Sequence, residues 1–140
     1  MQQQEIQRKH YNKIAREYVE RRANRNTLAY RNELWEEFLE LARLEIPPDK
    51  QALCLDAMCG SVEASARLSV CFKNFNFEAF DYSDEMVEIA KTSELARNGK
   101  LKVARMDILD LAERSRYDVV ILIGGIHHVH KNAQKAIAEI

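Results

Sequence analysis

Residues 52–63, ALCLDAMCGSVE, decide the fold. Ala52-Leu53-Cys54-Leu55 runs apolar without a break into an acid, Asp56, and a turn. That pattern is a short strand buried on both faces. A small-residue helix is predicted next, from about Glu63 to Val70. The rhythm then repeats. Phe75 to Phe80 reads as a second strand ending at Asp81, and Asp84 to Arg97 as a helix with Met86, Val87, Ile89, Ala90 and Leu95 inward. Ser83 is its N-cap, and Asn98-Gly99 closes it through residues that tolerate a left-handed turn. Lys100–Met106 is a third strand, Asp118–Ile123 a fourth and very apolar one, and Lys131–Ile140 is helical in period. Strands alternating with helices give an α/β class, a parallel sheet between helical layers.

Upstream the period is helical. Residues 4 to about 24 place Tyr11, Ile14, Ala15, Tyr18 and Val19 at spacings of three and four, after an isolated Ile6. A second helix, from about Leu28 to Leu44, turns Leu34, Trp35, Phe38, Leu39, Leu41 and Ala42 inward. Pro47-Pro48 stops it, because proline lacks the amide donor and clashes with the preceding turn.

Composition narrows the function. The 140 residues are 46% hydrophobic and 31% charged, with 21 Lys and Arg against 22 Asp and Glu. One domain is expected at this length. The near-zero balance excludes a whole-chain electrostatic grip on nucleic acid or anionic lipid. The basic face of the first helix lacks the interleaved aromatics of a nucleic-acid surface, so it reads as solvated. No apolar stretch reaches membrane-spanning length, and the amino-terminal residues lack a signal-peptide core, so a cytoplasmic location is expected. Cys54, Cys59 and Cys71 have no C-x-x-C spacing, which disfavours a zinc site or a disulfide framework.

In an open parallel sheet, ligands bind beyond the carboxyl ends of the strands. Strand one is followed by Asp56-Ala57-Met58-Cys59-Gly60-Ser61-Val62, strand two by Asp81-Tyr82-Ser83, strand three by Asp107-Ile108, and strand four by Gly124-Gly125-Ile126-His127-His128. Three of four strands end in an acid. Asp81 stands twenty-five residues after Asp56.

These blocks resemble the class I S-adenosylmethionine-dependent methyltransferases. LCLDAMCGSVE (53–63) is similar to the family's first motif, a strand-end Asp followed by a turn of type D-x-G-x-G-x-G. Met58 and Val62 stand at the first and third glycine, and Gly60 keeps the central one. EAFDYSDEMVEIAK (78–91), MDILDL (106–111) and YDVVILIGGIHHV (117–129) resemble the second, third and fourth blocks, in order. YNKIAREY (11–18) resembles the helix that covers the cofactor.

The resemblance implies a Rossmann-like sheet of order 3-2-1-4, with residues 1–48 a helical lid and 49–140 the S-adenosyl-L-methionine-binding core. It gives Asp81 the ribose hydroxyls, a bidentate task suited to a carboxylate. Asp107 takes the adenine amine between apolar walls that include Ile108. Asp56 takes the methionine ammonium and orients the turn, and Gly60 lets backbone approach the cofactor. Ala57, Met58, Tyr82, Met86 and Ile123 complete the implied contacts, and Tyr11 and Tyr18 either close over the methionine end or pack as ordinary helix tyrosines. A nicotinamide dinucleotide is disfavoured, since G-x-G-x-x-G is not met.

His127, His128 and His130 form H-H-x-H after strand four, where an acceptor should sit. His127 is the candidate general base. A metal site lacks a neighbouring carboxylate or Cys, and a solvated role is the plain alternative. The function implied is methyl transfer to an O, N or C nucleophile of a small-molecule acceptor. The alternative is a non-catalytic methyltransferase-like module in which Met58 and Val62 close the pocket. The family sheet has seven strands and only four are predicted. Residues 119–123 would then be an open apolar edge, expected to pair with a second copy or another polypeptide if the chain is not a fragment.

Overall fold

The computed structural model describes residues 3–111 and 116–140, and of His130 and Lys131 the backbone alone. Four strands, β1 (Ala52–Ala57), β2 (Phe75–Asp81), β3 (Leu101–Arg105) and β4 (Val119–Leu122), form one sheet in the order β3-β2-β1-β4. Every pairing is parallel. The central strand sets Asp56 opposite Ala79 on one side and Ile121 on the other. All four carboxyl ends therefore reach one rim. The chain order reverses between β1 and its two neighbours, the position where such sheets open a crevice.

Alternation along the strands splits the core in two. Cys54, Phe75, Phe77 and Ile121 join Trp35, Leu39, Leu68 and Phe72 in one cluster. Leu55, Ala57 and Phe80 join Ile108, Val129 and Ala136 in the other. Helices α1 (Gln3–Arg22), α2 (Arg25–Glu45), α3 (Glu63–Cys71), α4 (Asp84–Lys91), α5 (Glu94–Arg97) and α6 (Ala133–Glu139) surround the sheet.

Several expected boundaries differ for local reasons. Helix α2 starts at Arg25, because the Asn24 side chain accepts from the Asn26 amide and caps it. Its inward stripe is narrower than expected: Trp35 and Leu39 are buried, whereas Leu34 and Leu41 are exposed. The single helix expected over 84–97 breaks at Thr92-Ser93. The Thr92 hydroxyl donates back to the Ile89 carbonyl, and the Ser93 side chain caps a new turn through the Ala96 amide. The last helix starts later than expected, at Ala133, after a 3₁₀ segment over Ile126–Asn132. Strand β4 is four residues long, shorter than expected, with Ile123 beyond its end.

Candidate functional site

The loop after β1 is organised by a buried carboxylate. Asp56 is 3% exposed, and its Oδ2 accepts from the Ser65 amide at 3.1 Å and the Ser65 hydroxyl at 2.6 Å. The strand end is thereby tied to the first turn of α3. Burial raises the Asp56 carboxyl to about 6, opposed by the Ser65 hydrogen bonds and reinforced by the charge of Asp81.

Between Asp56 and α3 the backbone turns left-handed at alternate residues: Met58 at φ 54°, Gly60 at 52° and Val62 at 58°. These are the three glycine places of the motif. For a side-chain-bearing residue this conformation costs about 1–2 kcal/mol, and for a β-branched one it is a genuine outlier. The surroundings hold it in place. Val62 is fully buried in the core, Cys59 donates its amide to the Phe80 carbonyl at 2.9 Å, and Gly60 donates to Asp81 Oδ2 at 2.9 Å. Met58 packs against Gly125, where an added Cβ would lie 2.8 Å from the Met58 Cβ and Sδ.

Asp81, at the end of β2, accepts on Oδ1 from the Ser83 amide at 2.9 Å as well as on Oδ2 from Gly60. A carboxylate has about four acceptor positions, so both oxygens retain capacity for two hydroxyls. Burial raises its pKa against these backbone bonds. Asp107 accepts from the Leu109 amide at 2.9 Å, beside buried Ile108 and half-buried Met106. After β4 come Ile123, left-handed Gly124, Gly125 and the 3₁₀ segment.

Helix α1 lies across this rim and is fastened to α4. Asn12 Oδ1 accepts from the Ser83 hydroxyl at 2.7 Å, while that same hydroxyl oxygen accepts from the Met86 amide. Arg8 pairs with Asp84 and Glu5. Tyr11 Oη meets His128 Nε2 at 3.0 Å, with the two rings edge to face. Burial raises the Tyr11 hydroxyl pKa. The imidazoles of His127 and His128 lie 3.8 Å apart between centroids.

A cavity of about 530 Å³ opens between this strap and the strand ends. That volume is ordinary for a small-molecule site. Asp56, Asp81 and Asp107 all line it, as do Tyr11, Tyr18, Met58, Gly60, Tyr82, Met86, Ile108, Ile123 and His127. Ala57 does not: its side chain is buried beneath, packed with Leu55 and Phe80, because strand alternation turns it away from the rim. His128 lines the cavity with a partner on α1, whereas His127 is exposed at its edge. The His130 side chain lies outside the described residues. No group of three or more His, Cys, Asp or Glu among the described residues could hold a metal ion.

Of the other lining residues, Arg8 and Arg22 belong to the basic face of the first helix that reads as solvated in the sequence, whereas Arg31 and Glu63 carry no functional signal there. Ser65 was equally silent, since only the fold brings its hydroxyl beneath Asp56. A Cβ on Gly60 or Gly124 would meet no protein atom within 4 Å, so both glycines leave room in the cavity. With the acceptor capacity of Asp81 and the apolar walls around Asp107, the residues present fit an adenosine-bearing ligand.

The fold and rim define a class I, Rossmann-like core of the S-adenosylmethionine-dependent methyltransferases. The chain belongs to the methyltransferase domain family, which residues 54–140 match. A demethylmenaquinone methyltransferase of Leptospira interrogans is 31% identical over 137 residues, covering 95% of this chain and 53% of the relative. The chain thus spans about half the length of the curated relatives it matches. Among solved structures, a protein of Methanococcus maripaludis assigned as an S-adenosyl-L-methionine-dependent methyltransferase superposes with TM-score 0.71 at 21% identity, over 91% of this chain and 56% of that one. Coclaurine N-methyltransferase, solved with N-methylheliamine and SAH, gives 0.54 at 21% identity, over 75% and 32%.

Proposed function

We propose that this chain carries the cofactor-binding part of an enzyme transferring a methyl group from S-adenosyl-L-methionine to an O, N or C nucleophile of a small-molecule acceptor. The observation that carries the reading is the meeting of Asp56, Asp81 and Asp107 on one cavity beneath the Gly60 turn. S-adenosyl-L-methionine supplies an already activated methyl group, so the protein's work is alignment and exclusion of water. Asp81 holds the ribose hydroxyls, Asp107 the adenine amine and Asp56 the ammonium. Residues 1–48 form the lid over the core, and α1 covers the cavity with Tyr11 and Tyr18. His127 takes a proton from an acceptor that arrives protonated, with His128 held beside it by Tyr11.

Val62 points into the core and Met58 lies against Gly125, so neither fills the cavity. This supports the enzyme over a module with a closed pocket. Calorimetric titration with S-adenosylhomocysteine tests the reading: micromolar binding that is lost in Asp81→Ala supports it, and absence of heat with the wild type overturns it. Demethylmenaquinone, the acceptor in the name of the 31% identical relative, is the first acceptor to assay.

The outer edge of β4, which no strand covers among the described residues and where Val120 is 36% exposed, supports pairing with a strand of a second copy or another polypeptide. A strictly monomeric particle in sedimentation at micromolar concentration overturns that pairing. No helix among the described residues is long and apolar enough to cross a membrane. Three free cysteines support a reducing, cytoplasmic setting.

A further inference from the structure

Helix α2 carries an apolar row that the rest of the described chain leaves uncovered. Trp35 and Leu39 point into the core, and α3 docks on one flank, where Arg67 donates to Asn32 and Arg43 to the Cys71 sulfur. On the opposite flank Tyr30, Leu34 and Leu41 are exposed, and Leu44 is 81% exposed. With Glu37 in the gap, these residues follow one another in steps of four, three, four and three. That is the rhythm of a seam that meets another helix, not of a solvated face.

The charges around the row are one-sided. Glu33 and Glu40 border it on one side and Glu45 on the other, and Glu37 stands within it. All four are exposed, and none has an ion-pair partner among the described residues. The cations of α2 do not answer them. Arg31 pairs with Glu63, Arg43 is engaged at Cys71, and Arg25 lies at the helix start. By contrast Glu17, Glu78 and Glu88 meet Arg21, Arg116 and Lys91.

A second copy of this chain fits the row poorly. Parallel pairing sets Glu37 against Glu37 of the second copy. Antiparallel pairing that matches Tyr30 with Leu41 brings Glu33 beside Glu40. Like charges held together at an interface oppose association, so the surface calls for a partner of the other sign.

We propose that the row of Tyr30, Leu34, Leu41 and Leu44 is the docking surface for a basic amphipathic helix of another polypeptide. Apolar side chains of that helix cover the row, a Lys or Arg faces Glu37, and further cations meet Glu33, Glu40 and Glu45. None of these α2 residues lines the cavity, so the inference stands apart from the methyl-transfer reading.

The probe is a synthetic helical peptide with Leu at the seam positions, Lys at the flanking positions, and Ala and Gln elsewhere. Fluorescence anisotropy reads its binding to the whole chain at low ionic strength. Saturable binding is expected, weakened about tenfold or more by Leu34→Ser combined with Leu41→Ser. Glu33→Gln combined with Glu40→Gln weakens it as well and flattens its salt dependence. The same peptide with Glu for Lys, and a scrambled one of equal composition, bind about tenfold or more weakly than the first. The substituted side chains are exposed, so both variants should keep the wild-type melting transition. If the leucine pair does not, Leu44→Ser and the glutamate pair carry the test.

Absence of saturable binding, equal binding of the scrambled peptide, or binding indifferent to either pair of substitutions overturns the proposal. Sedimentation decides the competing occupant. A dimer that the leucine pair dissolves assigns the row to a second copy and overturns the basic partner.

Discussion

The Tyr11 hydroxyl and His128 Nε2 lie 3.0 Å apart although 117 residues separate them in the chain. This contact joins the covering helix α1 to the segment after β4, across the mouth of the cavity. Tyr11→Phe keeps the ring packing against Tyr18 and His128 and removes only the oxygen. A neutral hydrogen bond of this type contributes about 0.5–1.5 kcal/mol. The expected outcome is a small fall in melting temperature and a several-fold weaker S-adenosylhomocysteine titration. An unchanged affinity would show that the strap does not respond to ligand.

Gly125 has no room for a methyl group because Met58 is there. Gly125→Ala should destabilise by about 1–3 kcal/mol, as overpacked sites do. Met58→Ala in the same chain keeps a Cβ but removes the sulfur, so recovery should be partial; Met58→Gly should recover more. Denaturant unfolding of wild type, Gly125→Ala, each Met58 single variant and each corresponding double variant forms two double-mutant cycles, and additive losses in both would refute the contact.

The two left-handed side-chain-bearing residues should respond differently to glycine. Met58 is half-buried, so Met58→Gly trades modest packing for relief of about 1–2 kcal/mol of backbone strain and should be near neutral. Val62 is fully buried, so Val62→Gly forfeits about 1.5–3 kcal/mol of side-chain burial along with the same strain and should be net destabilising. Urea midpoints in the reverse order would falsify this assignment of strain and packing.

Asp56 makes a pH prediction with a definite sign. Its carboxyl rises from 3.8 to about 6 in the folded chain. Between these values the native state holds a proton that the unfolded chain has released. The contribution of Asp56 is therefore most favourable at low pH and declines as pH rises through about 6, by up to ~3 kcal/mol. Unfolding free energies of wild type and Asp56→Asn, measured at several pH values, should diverge in that direction over this window. A difference independent of pH would contradict the raised carboxyl.

Much of the architecture was legible because apolar runs ending in Asp56, Asp81 and Asp107 combine a short-range period with a chemical full stop. Parallel pairing then carries those acids to the same rim with little further information. The Ser83 cap was readable for a similar reason, being a local bond to Met86. What escaped depends on distant packing or weak competition. Arg31 and Glu63 meet only because α2 docks on α3, and Ser65 matters only because a carboxylate is buried above it. The break at Thr92-Ser93 turns on two hydroxyl bonds that rival continued helix by a small margin. The left-handed backbone at Met58 and Val62 is visible in sequence only by analogy with glycine, since neither residue favours it.

The Ser83 hydroxyl both begins α4 and holds Asn12 of α1. Undocking of the covering helix and fraying of α4 are thus linked in a single opening event. Amide exchange at Met86 should slow whenever a bound molecule keeps α1 down, so a backbone proton well outside the acceptor chemistry becomes a reporter of occupancy.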